Sequence, residues 1–168
     1  MNRPNWDDYF LGIADHVRTR STCLRRQWGA VAVDSGRQIV ATGYNGVPSG
    51  YLHCTDRGVC ERQSKGILSG QFYERCYSVH AEMNVITQAA KIGKSLDGCI
   101  IYLSGWDLET DRRMSGMGGC LLCTKLMLAA GISEVIERES DGSILYTSPR
   151  QAWEDRLIEA GMEVPKEG

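Results

Sequence analysis

The sequence predicts an α/β fold, a mixed sheet with helices on both faces. Three observations carry that expectation. Short β-branched runs alternate with stretches of helical periodicity. An early pair of such runs flanks a tight-turn signature. The 168 residues suffice for one well-filled core, so residues 1–168 are read as a single domain.

The elements follow in order. Asn5 to Arg20 reads as a helix, because Trp6, Tyr9, Phe10, Ile13 and Val17 recur at spacings of three and four. Asn5 suits its N-cap, and Asp7 and Asp8 suit its first turn. Trp28 to Val33 and Gln38 to Tyr44 read as a hairpin around Asp34-Ser35-Gly36-Arg37. Asn45 to Gly50 is a turn cluster, and Tyr51 to Arg75 a long polar loop. Val79 to Lys91 is helical, with Ala81, Val85, Ala89 and Ile92 along one stripe. Ile100 to Leu103 is a buried strand, and Ser104 to Gly119 is irregular. Cys120 to Ala130 is a helix closed by Gly131. Ser133 to Glu137 and Ser143 to Tyr146 are strands, a helix runs from Pro149 to Ala160, and Met162 to Val164 adds an edge strand.

A net charge of −2 and a pI near 5.9 argue against a general nucleic-acid surface, while leaving room for a local basic pocket. No apolar run approaches the roughly 18–20 residues of a membrane helix. The first residues lack the apolar core of a signal peptide, so the expected location is the cytoplasm. Seven cysteines without a secretion signal point to metal binding rather than disulfides. Cys99, inside an apolar run, is the exception and reads as a core residue.

Two short motifs carry chemistry: His80-Ala81-Glu82 and Cys120-Leu121-Leu122-Cys123. Alone, each is weak: the first is commonly an ordinary helix segment, the second a redox pair or two core thiols. Together they supply one imidazole and two thiolates for zinc. Cys120 and Cys123, three apart, share the first turn of a helix, where free N–H groups favour anionic sulfur. His80 also stands at a helix start, so Glu82 can reach the same pocket. Three ligands leave one vertex for water, whose pKa zinc lowers toward ~7, and Glu82 can carry its proton. That combination suits hydrolytic attack on an amidine-like carbon such as C4 of cytosine.

With these residues in place, the chain resembles the cytidine deaminase-like zinc deaminases, and within them the deoxycytidylate (dCMP) deaminases. The likeness includes Arg20 to Val31, Gly43 to Gly50 with His53-Cys54, Val79 to Asn84, and Ala130-Gly131-Ile132. The resemblance implies a three-layer α/β/α fold around a mixed five-stranded sheet. It implies hydrolysis of dCMP to dUMP and ammonia in pyrimidine nucleotide biosynthesis. Zinc would be held by His80, Cys120 and Cys123, with Glu82 as proton shuttle. Asn45 would touch the nucleoside, and Arg25 or Arg26 the phosphate. Relatives are often homohexamers that respond to dCTP and dTTP, so a homo-oligomer with those effectors is expected.

A second, structural zinc is expected from Cys23, Cys54, Cys60 and Cys76, with His53 a possible substitute ligand, pinning the Tyr51–Arg75 segment. Two features depart from the resemblance. Gly119 stands where relatives place proline, and Ser104 to Gly119 is longer than the usual turn. That longer link, bearing Trp106, Asp107, Glu109, Asp111, Arg112 and Arg113, is either a lid that reads substrate or a surface excursion. Three alternative functions therefore stand beside the first: a deaminase of another or modified cytosine nucleotide, a tRNA-editing deaminase, and a silent nucleotide-binding module. The acidic pI argues against the second and the intact Glu82 against the third.

Overall fold

The computed structural model describes residues 3–68, 70–116 and 118–165. Helix α1 (Trp6–Arg18) opens the chain, and its N-cap Asn5 accepts the Asp8 N–H through its side chain. Strands β1 (Arg26–Val33) and β2 (Ile39–Tyr44) form the expected antiparallel hairpin, with a register shift at Ala32/Val33. Residues 51–75 are not a bare loop. They hold two single-turn helices, α2 (Cys54–Arg57) and α3 (Glu61–Ser64), and a 3-10 turn at Tyr73–Arg75. Helix α4 spans Ala81–Lys91. Ala81, Val85 and Ala89 are buried as the stripe requires, but Ile92 is exposed, because the helix ends there and its N–H closes back on Gln88 and Ala89.

Strand β3 (Ile100–Asp107) runs four residues beyond the expected strand and turns back as β4 (Arg112–Met114). The stretch from Ser104 is thus largely ordered hairpin. Asp107 makes the turn by accepting the N–H groups of Glu109 and Thr110 through one oxygen. Helix α5 (Leu121–Ala129), β5 (Glu134–Arg138), β6 (Ile144–Thr147) and α6 (Pro149–Glu159, N-capped by Ser148) complete the order. The expected strand at 162–164 is absent. Gly161 and Met162 donate to Ile158 and Leu157 instead, so this backbone terminates α6 rather than extending the sheet.

The sheet order is β2-β1-β3-β5-β6, with β4 attached to β3 beyond the five-strand path. Only β3 and β5 pair in parallel. Side chains alternate between two cores, as a half-buried pleat demands. Val31, Val33, Tyr102 and Ile136 meet Phe10, Leu11 and Ala14 of α1. Ala30, Ala32, Ile101, Leu103 and Val135 meet Val85 of α4 and Met127 of α5. The three layers are therefore helix, sheet and helices. Small residues bring α4 close to the sheet: a Cβ on Gly43 would lie 2.5 Å from the Ala81 carbonyl oxygen.

Candidate active site

His80 caps α4 and Cys120 caps α5, each with extended backbone, while Cys123 lies one turn inside α5. His80 Nδ1 stands 3.4 Å from Cys120 Sγ and 3.3 Å from Cys123 Sγ. Among the described residues, these three form the one group of His, Cys, Asp and Glu side chains whose ligand atoms all lie within 4.8 Å of one another. Tetrahedral zinc with its usual bond lengths to nitrogen and sulfur needs N···S separations of roughly 3.5 Å. The observed spacing fits that requirement.

The electrostatics suit a cation as well. A hydrogen bond from Cys123 pushes the Cys120 thiol well down, burial opposes the shift, and His80 adds to it. Cys123, holding the shared proton, is shifted up. Burial works to lower His80, but its bond to Cys120 and the charge of Glu82 hold it above its usual value. Glu82, 5% exposed, is pushed up by burial and held back by His80.

His80, Glu82 and Cys120 open into one cleft of about 1040 Å³, with Cys123 buried behind them. Its walls include Trp28 and Asn45 of the hairpin, Arg62 and Tyr73 of the 51–75 segment, Met114 to Gly116 after β4, and Arg156 of α6. Asn45 Oδ1 accepts the Trp28 N–H at 2.7 Å, and Asn45 Nδ2 donates to the Arg26 carbonyl at 2.8 Å. An amide has two lone pairs and two hydrogens, so one acceptor site and one donor remain. Arg26 reaches the cleft, 3.7 Å from Asp107, whereas Arg25 is not among the lining residues.

A sequence profile described as the cytidine and deoxycytidylate deaminase zinc-binding region matches residues 4–138. The chain belongs to that family. A deoxycytidylate deaminase of Mycobacterium phage D29 is 35% identical over 81% of this chain and 96% of its own length. One from Schizosaccharomyces pombe is 32% identical over 82% of this chain, which spans only 38% of that protein. The dCMP deaminase of cyanophage S-TIM5, solved with dCMP and dUMP, superposes with a TM-score of 0.60 at 25% identity, covering 99% of this chain and 100% of that one.

Within this family member the hairpin β3–β4 is tied down. Arg113 grips both oxygens of Asp15 on α1 at 3.1 and 2.8 Å and also bonds Ser104 at 3.1 Å. Burial would raise Asp15, but these bonds and that of Arg18 hold it below the usual carboxylate range. Trp106 carries the guanidinium groups of Arg18 and Arg113 near its ring, at 4.5 and 5.7 Å. Its indole N–H donates to Asp111. Arg113 therefore pins the hairpin to α1 while Asp107 reaches Arg26 of β1, and what the hairpin offers the cleft is its returning end, Met114 to Gly116.

The four cysteines expected to hold a second metal do not form a group of that tightness. They lie near one another all the same. The Thr55 N–H bonds the Thr22 carbonyl at 3.2 Å, which brings the Cys23 and Cys54 segments together. Burial raises the thiols of Cys54 and Cys76, and each feels the charge of Cys23 and Cys60. His53 caps α2.

Arg62 and Tyr73 in the cleft wall, and Glu137 outside it, carry no motif in the sequence. Arg62 is 8% exposed, donates to the Leu68 and Gln71 carbonyls, and lies over Tyr73, whose ring meets His80 edge-on at 5.0 Å. No local pattern marks such an arginine, because its partners come from loop backbone. Glu137 is 1% exposed and bonded to backbone N–H groups near the cysteine motif. Its signal was available: it interrupts the apolar run Val135-Ile136 at a position that strand alternation assigns to the core.

Proposed function

We propose that the protein hydrolyses deoxycytidylate to deoxyuridylate and ammonia, with zinc held by His80, Cys120 and Cys123 and with Glu82 as proton carrier. The observation that carries this reading is the meeting of the three ligand atoms where His80, Cys120 and a buried Glu82 line one cleft. The names of the phage and yeast relatives support the substrate, as does a related structure solved with dCMP and dUMP.

Bound zinc would supply Lewis acidity, making a water acidic enough to attack near neutral pH. Glu82 accepts that water's proton, delivers it to the ring nitrogen beside the reacting carbon, and then protonates the departing amine. Asn45, fixed by β1 backbone, turns its remaining donor and acceptor toward the nucleoside. Arg26, at the cleft wall, offers a guanidinium fork to the phosphate. A second zinc among Cys23, Cys54, Cys60 and Cys76 belongs to the same proposal, supported by the proximity of those thiols, and would staple the 51–75 segment to the β1 approach. A modified cytosine nucleotide is the second reading, favoured by Met114 to Gly116 in the cleft wall.

One purification tests these points. Protein prepared without chelator is analysed for zinc and assayed for ammonia release from CMP, dCMP, deoxycytidine, dCTP and 5-substituted dCMP. Two zinc ions per chain and a preference for dCMP are expected; one ion removes the second metal, and preference for a substituted dCMP moves the assignment. Glu82→Gln should keep its catalytic zinc and lose roughly 10²- to 10⁴-fold in kcat. Unchanged turnover would refute the mechanism.

A further inference from the structure

Among the described residues just before Cys120, the backbone supports itself through one turn bond, from the Gly119 N–H to the Gly116 carbonyl at 3.0 Å. Gly118 and Gly119 have φ of +77° and +96°. Proline, fixed near −65°, cannot adopt either, so covalent rigidity is unavailable. Yet the position of this backbone matters. A Cβ on Gly119 would lie 3.0 Å from Glu82 Oε1 and 3.4 Å from Cys123 Cβ, so the residue before Cys120 also walls in the acid.

Two carboxylates add to that support: Glu139 accepts the Ser115 hydroxyl at 2.7 Å, and Glu137, on the sheet, reaches the backbone itself. Glu137 Oε1 accepts the Gly116 N–H at 2.7 Å, and Oε2 accepts the Gly118 N–H at 2.6 Å. The Gly116 carbonyl is held from outside by Arg156 Nη2 at 3.0 Å. The N–H groups of Gly116 and Gly118, two positions apart, converge on this one carboxylate as backbone donors converge on a bound anion. Here the anion belongs to the protein, on a rigid central strand. Burying a charged group without bonds would be costly, and an apolar side chain would satisfy the core at this position. A glutamate there needs the loop as much as the loop needs it. Burial raises Glu137 to about 7 while the two N–H bonds pull it down.

We propose that Glu137 is the positioning residue of the active site: its carboxylate holds the backbone N–H groups of Gly116 and Gly118 and thereby sets both the Cys120 ligand and the room available to Glu82. The inference rests on the zinc reading given above. Glu137 does not touch substrate or metal and acts through the loop.

The test uses zinc-loaded enzyme and two variants. Glu137→Gln turns an amide NH2 against one backbone donor. Glu137→Leu fills the same core space without polar atoms and preserves the fold if the amide disturbs it. Zinc loss to a chromogenic chelator should accelerate roughly 10- to 100-fold in both. Their kcat should fall over a similar range while KM rises by less, because Asn45 and Arg26 are untouched and only the Gly116 end of the gripped backbone lines the cleft. Amide exchange at Gly118 and Gly119 should quicken. A fallen thermal midpoint with zinc loss and kcat within about twofold of wild type would overturn the proposal and leave Glu137 an ordinary fold residue. Wild-type protein that neither keeps zinc nor turns over would instead overturn the reading beneath it.

Discussion

Gly105→Ala is the sharpest test of how the cleft wall is built. The new methyl would stand 2.4, 2.5 and 2.7 Å from Cζ3, Cη2 and Cε3 of Trp28, its cross-strand partner. Carbon contacts settle near 3.5–4.0 Å, so the indole must retreat by about 1 Å. It has little room. The Trp28 backbone N–H is fixed to Asn45. Ring atoms Cη2 and Cζ3 already lie 3.2 and 3.3 Å from where a Gly116 Cβ would be. Overpacking costs 1–3 kcal/mol, and three ring contacts below 3 Å put this case near the top, about 3 kcal/mol. For a chain of this size the thermal midpoint should fall by roughly 6–12 °C. Trp28→Leu alone should cost about 3 kcal/mol through the cavity it leaves. The double variant should cost little more than Trp28→Leu, since the clash has gone, giving a coupling of about 2–3 kcal/mol. Urea unfolding of all four proteins at one fixed zinc concentration measures the cycle. Costs that add to within about 0.5 kcal/mol would show that the indole does not rest on Gly105.

Two further predictions concern groups around the site. Asp15 is held below its unfolded value of 3.8, so its stabilisation is complete above that value and is lost as pH falls through the lower folded one. Asp15→Asn should cost about 1.5–3 kcal/mol at neutral pH and converge with wild type as acid protonates Asp15; unfolding curves that stay parallel down the acid limb would contradict the Arg113 clasp. Gly119→Ala must strain a residue at φ +96° and crowd Glu82. A loss of about 1–3 kcal/mol in stability should accompany a larger proportional loss of kcat than of zinc content. Full turnover would mean that Gly119 does not confine the acid.

The parts legible in the sequence share one property: their signal is local. The apolar spacing of α1, the turn between β1 and β2, and the capping positions of His80 and Cys120 each lie within a few residues. The hairpin β3–β4 was not legible, because Ser104 to Met114 is rich in charge and its pairing is anchored elsewhere. Arg113 reaches Asp15, 98 positions away, and only that contact explains its place. Arg62 and Arg156 likewise bond loop carbonyls that no periodicity announces. Glu137 was visible as an anomaly in a strand, but its purpose lies in glycine N–H groups 19 and 21 residues before it.

Why two motifs 40 residues apart meet at all follows from strand direction. Strand β1 is antiparallel to both β2 and β3, so β2 and β3 point the same way. Helix α4 follows β2 through the Gly46–Val79 bridge, and α5 follows β3 after the β4 hairpin. Both helices pack on the same face of the sheet and must start at the same end of it. The parallel pairing of β3 with β5 then obliges α5 to carry the chain back, so its N-terminus cannot stand anywhere else. Each helix presents free N–H groups and the positive end of its dipole to that edge, a field that favours thiolate and would favour an anionic ligand. Two of the three ligands, His80 and Cys120, are therefore cap residues, and the third, Cys123, lies in the first turn of α5 on the same side as Cys120. On this argument the β4 hairpin, which lies between β3 and α5, can vary in length without moving Cys120, provided that something grips the last turn of chain before the cap. In this protein that grip is the carboxylate of Glu137 on the neighbouring strand, bonded to Gly116 and Gly118.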